Sequence, residues 1–162
     1  RKHGHSRPAG SPLWGGADAG YGPRGGEAVR LGGYTFRIVG AAYVEYPEDS
    51  PYADQVQVAF RVSTPRFWAR INEGALHSAL TMTGPEGWAW DMDRGKMNTI
   101  WEQGTSQTLC GLQRAEWGLF HDTYIAYGDW EWEEGDSAGL EFAFGKGSFT
   151  LTADELERVV IT

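Results

Sequence analysis

Two tryptophan pairs hold the spacing that could do chemistry: Trp88 and Trp90 in GWAWDMD, and Trp130 and Trp132 in GDWEWEEGD. In a β-strand, residues i and i+2 share a face, so each pair sets two indoles side by side. On an exposed face, such a pair stacks against the C–H faces of sugars while nearby carboxylates accept hydrogen bonds from hydroxyls. In a core, the same rings fill the space between two sheets. Glu131 and Glu133 alternate with the second pair and would stand roughly 6.5–7 Å apart on one strand face. Glycoside hydrolysis uses paired carboxyls at such separations, but across a cleft and with unequal pKa values. Two glutamates on one strand read more simply as a solvated acidic face.

Other candidates are weaker. Asp91-Met92-Asp93 with Gly95, and Glu133-Glu134-Gly135-Asp136, offer oxygens of the kind Ca²⁺ takes, yet neither follows the EF-hand loop pattern. Arg1-Lys2-His3 would make a square-planar copper or nickel site if Arg1 were a free mature terminus. His77 and His121 each stand alone in the sequence. The single cysteine, Cys110, lies among apolar neighbours in QTLCGLQ, which is the setting of a buried structural thiol. It excludes a disulfide framework and a zinc site built on several thiolates. No nucleophile elbow, Walker loop, H-E-x-x-H or strand-linked G-x-G-x-x-G occurs. The expectation is therefore a protein with no catalytic residues, no metal and no cofactor.

The elements that must position these residues are strands. Tyr34–Val39 alternates aromatic or aliphatic with polar side chains, and Ala42–Tyr46 extends the pattern. Val56, Val58, Phe60 and Val62 alternate with Gln55, Gln57, Ala59 and Arg61, which predicts a half-buried strand ended by Pro65. Arg66–Asn72 reads as one or two helical turns, with Phe67 and Ile71 at i,i+4. Leu76, Leu80 and Met82 suggest a strand, closed by a turn and answered by Trp88–Met92 as a hairpin. Gln107–Gln113 and Thr123–Trp132 read as strands, and Asp129–Gly139 as an acidic turn. Leu140–Phe144 and Ser148–Leu151 form a final hairpin. Thr152–Glu155 has the pattern of a capping box that starts a short helix, and Val159–Ile161 is strand-like. Short strands at regular spacing predict a sandwich or barrel.

A chain of 162 residues suits one domain with a tail, and an aromatic content of 14% supplies a core. Residues 1–32, rich in glycine and proline, are expected to form a flexible or docking extended arm, with the β-sandwich over 33–162. Trp14 and Tyr21 in the arm are candidate partner-docking residues. Up to residue 30, Arg1, Lys2, Arg7, Arg24 and Arg30 outnumber Asp18 and Glu27, although the whole chain carries a net charge of −8. The acidic body repels phosphate backbones, so nucleic-acid binding is not expected. No apolar run reaches the roughly 20 residues that span a bilayer. Residue 1 is not methionine, and the expectation is a processed or truncated product that has lost a targeting or anchoring segment.

From Glu27 onward, the order of features resembles the telokin-like, immunoglobulin-type domains of secreted and lipid-anchored bacterial proteins. The opening Leu31-Gly-Gly-Tyr-Thr-Phe-Arg-Ile-Val carries the resemblance, together with the long strand Val56-Gln-Val-Ala-Phe-Arg-Val-Ser and the late Glu134-Gly-Asp-Ser-Ala-Gly-Leu-Glu-Phe-Ala-Phe. The chain departs from that pattern in its tryptophan content and in the irregular 96–120 segment. The resemblance implies an all-β, immunoglobulin-like antiparallel β-sandwich serving as a non-enzymatic extracytoplasmic interaction or accessory module, secreted or at the cell surface. Its expected partner is a protein, with membrane proximity through a missing anchor. The alternative reading is carbohydrate binding through Trp88, Trp90, Trp130 and Trp132.

Overall fold

The computed structural model describes residues 28–51, 53–66, 68–84, 89–91, 110–129, 132–144, 147–154 and 156–162, with Trp90, Asp91 and Cys110 described by their backbone alone. Among these described residues, ten strands and one short helix follow in chain order: β1 (Val29–Leu31), β2 (Tyr34–Glu45), β3 (Gln55–Ser63), α1 (Glu73–Ala79), β4 (Leu80–Thr83), β5 (Ala89–Asp91), β6 (Cys110–Trp117), β7 (His121–Gly128), β8 (Ala138–Phe144), β9 (Gly147–Ala153) and β10 (Glu157–Val160). One sheet runs β1-β2-β3-β7-β6, and β10 also pairs with β2; the other runs β5-β4-β8-β9. Every pairing is antiparallel except β10 with β2. The two sheets pack face to face as an all-β sandwich. β1 lies within the segment assigned to the arm, and it extends the sheet along the first residues of β2.

Aromatic side chains from both sheets join the layers. Phe36 of β2 sits 4.9 Å from Phe142 of β8, ring to ring, and Phe60 of β3 sits 5.2 Å from the same ring. Phe60 also stacks on Tyr124 of β7 at 5.7 Å. Each such ring, moved from water into the core, contributes about 2–3 kcal/mol.

The alternation in β3 predicted one wet face, and the structure buries both. Val56, Val58, Phe60 and Val62 face the other sheet, while Gln55, Gln57 and Ala59 are buried on the opposite face. That face carries a second, smaller apolar cluster of Ala42, Val44, Ala59 and Ile125. The glutamines tolerate burial because they are hydrogen-bonded. The Gln55 amide donates to Asp129 Oδ1 at 3.1 Å, and the Gln57 amide donates to Gln55 Oε1 at 3.2 Å.

Other expectations shift. The helix lies over 73–79 and not over 66–72. Asn72 caps it, accepting from the Ala75 N–H at 3.1 Å, and the cap fixes where the first turn begins. Leu76 is therefore helical and is the buried residue of α1, while Leu80 ends the helix in extended backbone and opens β4. The strand expected through Trp132 ends at Gly128. The capping-box pattern at Thr152 starts no helix among the described residues, because pairing with β8 carries β9 through Ala153. The hairpins β4–β5 and β8–β9 form as the sequence predicts.

Candidate functional site

The described residues put four of their five exposed large hydrophobic side chains at one end of the six-stranded sheet. β3 ends there at Ser63, opposite His121, where β7 begins. The Thr64 N–H donates to the Phe120 carbonyl at 2.8 Å, which ties the segment after β3 to the β6–β7 turn. Arg70 completes the tie. Its Nη1 pairs with Asp122 Oδ1 at 2.6 Å, and its Nη2 donates to the carbonyls of Gly118 and Leu119. Gly118 is required by close approach, since a Cβ there would stand 2.6 Å from the His121 carbonyl oxygen. The Gly118 N–H donates to that same oxygen at 2.8 Å and closes the turn.

A β-bulge aims the side chains. The register of β6 on β7 shifts between Arg114 and Glu116, leaving Ala115 as the extra residue. In a regular strand, Arg114 and Trp117 would face opposite ways, because their separation is odd. The extra residue returns Trp117 to the Arg114 face. The Arg114 guanidinium then lies 3.7 Å from the centre of the Trp117 ring, and that of Arg70 lies 4.6 Å from it. Both are cation–π distances. Glu116 turns to the other face, where it pairs with His121 (Nε2 to Oε1, 3.5 Å) and accepts from Thr123 at 3.4 Å.

Trp68, Trp117, Leu119 and Phe120 are 71%, 60%, 62% and 45% exposed. The remaining exposed large hydrophobic residue among those described, Val160, lies on β10 at the far end. Beneath the cluster, Tyr124 is fully buried, and its hydroxyl makes no hydrogen bond of good geometry among the described residues. Burial pushes its pKa up to about 12, Asp122 and Glu73 add to the rise, and the facing Arg114 offsets part of it.

The opposite end of the same sheet is acidic. Glu45, Glu48, Asp49 and Asp54 gather at the β2–β3 connection, and Asp129, Glu133, Glu134 and Asp136 at the β7–β8 connection. Several of these carboxylates hold backbone. Asp54 accepts from the Tyr46 N–H at 2.9 Å, and Asp136 accepts from the Glu133 N–H at 2.8 Å across a turn in which Gly135 has φ +94°. Arg158 pairs with Glu45 at 2.7 Å. Among the described residues, no group of three or more His, Cys, Asp or Glu is placed to hold a metal ion. No helix among them is long and apolar enough to cross a membrane.

The sequence candidates are not drawn together. Trp14, Tyr21, Trp88, Trp130 and Glu131 lie outside the described residues, as do Arg1–His3 and Asp93. Trp90 belongs to β5, its backbone opposite Met82. Trp132 is buried in the main core cluster, which is the space-filling role and not that of a sugar platform. Glu133 is exposed, and His77 lies half-buried in the last turn of α1. The cluster of Trp68, Arg70, Arg114, Trp117, Leu119 and Phe120 was not singled out from sequence. One local signal was available: Trp117-Gly118-Leu119-Phe120 places three large apolar residues around a glycine turn between two strands, where polar residues are the rule. No protein-family model, curated protein or solved structure matches the chain.

Proposed function

We propose that the domain is a non-enzymatic interaction module that binds through the end built by residues 64–70 and 117–122. The exposure of Trp68, Trp117, Leu119 and Phe120 on one end of an otherwise packed sandwich carries the reading. Apolar surface left in water costs free energy, and a contiguous patch of it marks a contact site. Arg70 pins the two segments together, so the surface is held in shape before any partner arrives. An immunoglobulin-like plan, a protein partner and an extracytoplasmic, membrane-associated or surface setting belong to the same reading. They rest on the sequence resemblance and on the presence of two packed sheets.

Site-directed photo-crosslinking tests the proposal. A crosslinker at position 119 captures a contact in native extracts or membranes, whereas one at Thr150, on the exposed face of β9, captures none. Equal labelling at both positions, or none at 119, removes this end as the binding surface.

Carbohydrate binding is the second reading, and the exposed Trp68 indole supports it. Trp117 is less suited, because guanidinium groups already lie over its ring. Quenching of fluorescence by oligosaccharides, lost in Trp68→Ala, would support it. A silent glycan array would remove it.

A further inference from the structure

We infer that the partner of this end is a phospholipid bilayer rich in anionic headgroups, an inference that rests on the binding role proposed above. The apolar residues sit on a tip. Leu119 and Phe120 are consecutive in the three-residue β6–β7 turn, and both are exposed. The interfacial zone of a bilayer needs no shape match and takes up tryptophan, leucine and phenylalanine side chains together.

The polar groups suit the same surface. Arg66, two residues before Trp68, is exposed, and Arg114 lies over Trp117. An indole with a guanidinium at its face buries an apolar body while the charge meets phosphate oxygens. Of the acids near the tip, Asp122 is engaged by Arg70, Glu116 lies against His121, and Glu73 acts on Tyr124 beneath it.

Charge is also distributed along the strands. Arg30, Arg37 and Arg61 lie in the same half of the sheet as the tip. Among the described residues, Arg158 alone of the arginines lies at the acidic end, where Glu45 pairs with it. An anionic surface therefore attracts the aromatic end and repels the opposite one. A protein with net charge −8 then approaches such a surface in one orientation.

Flotation of the purified full chain with vesicles tests the inference. The vesicles are phosphatidylcholine alone, or phosphatidylcholine mixed with phosphatidylserine. The chain floats with the mixed vesicles, and salt weakens the association. Leu119→Ser/Phe120→Ser lowers the apparent affinity about tenfold or more, given the apolar area removed. Arg66→Glu lowers it on the mixed vesicles, and Trp68→Ala lowers it as an independent variant should the double variant fold poorly. Val160→Ser, which removes an equally exposed apolar residue at the far end, leaves it unchanged.

Absence of flotation overturns the inference, as does equal flotation of wild type, the double variant and Trp68→Ala. If vesicles fail while position 119 still crosslinks to a protein, the bilayer is excluded and the binding module stands. If sedimentation shows a dimer that Leu119→Ser/Phe120→Ser abolishes, the end belongs to a second copy of the chain and the bilayer is again excluded. If vesicles and crosslinking both fail, the binding role falls as well.

Discussion

The two ends of the six-stranded sheet are built from the same strands and treat water in opposite ways. At the acidic end, the connections after β2 and β7 are rich in carboxylates. Their carboxylates accept from backbone N–H groups or stand in solvent, as Asp54 and Asp136 do for Tyr46 and Glu133. At the other end, the segment after β3 and the β6–β7 turn expose two indoles, a leucine and a phenylalanine around guanidinium groups. Comparable rings are buried in the core at Phe36, Phe60 and Phe142. Stability alone gives no reason to leave these four outside, and the binding role proposed above would.

The strongest way to break the comparison is to cut the tie at the aromatic end. Asp122→Ala leaves the partly buried Arg70 guanidinium without its carboxylate and is expected to cost about 3 kcal/mol, measured by chemical denaturation. A loss near zero would mean that the end is not held in shape and that the contrast in rigidity fails.

Next in size is an alkaline effect beneath the same end. Tyr124 is held near 12 in the folded state against 10 in the unfolded chain, so the unfolded chain releases its proton first as pH rises. The stability contributed is whole below pH 10 and is lost as pH climbs through 12, an effect of about 2–3 kcal/mol. Tyr124→Phe changes stability little at neutral pH and removes this share of the alkaline loss. A denaturation series from pH 8 to about 12 on both proteins checks it.

Asp129→Ala sharpens the comparison from the acidic side. It takes the acceptor from the buried Gln55 amide and is expected to cost about 1–2 kcal/mol. Glu48→Ala, on the exposed β2–β3 connection, should stay within about 0.5 kcal/mol. Thermal melts of the two variants separate carboxylates that hold the fold from those that only face water.

The smallest effect on stability is expected at the tip. Leu119→Ser/Phe120→Ser should shift it by no more than about 0.5 kcal/mol, because both side chains are exposed. Loss of crosslinking or flotation without loss of stability would set this end apart as a surface kept for contact.

Much of the sheet was legible in the chain. Strands β2, β3, β8 and β9 announce themselves by alternation, and the pleat converts alternation directly into faces. The helix was displaced because Phe67 and Ile71 offered a helical spacing, while the real boundary depends on a single capping atom, Asn72 Oδ1. The aromatic end was hidden for a different reason. Arg114 and Trp117 fall on one face through a bulge, and Arg70 reaches the β6–β7 turn from 48 residues away. The tryptophan pairs drew attention by their spacing, but Trp132 went to the core, where the chain needed volume.

By itself the sequence determined which segments would pleat and which side of each would seek apolar company, because both follow from local φ/ψ preference and period. Only the tertiary structure decided that β3 would be buried on both faces, that Ala115 would bulge, and that two distant segments would meet around Trp117. Those outcomes depend on partners remote in the chain, and no local pattern encodes the neighbour a strand will find.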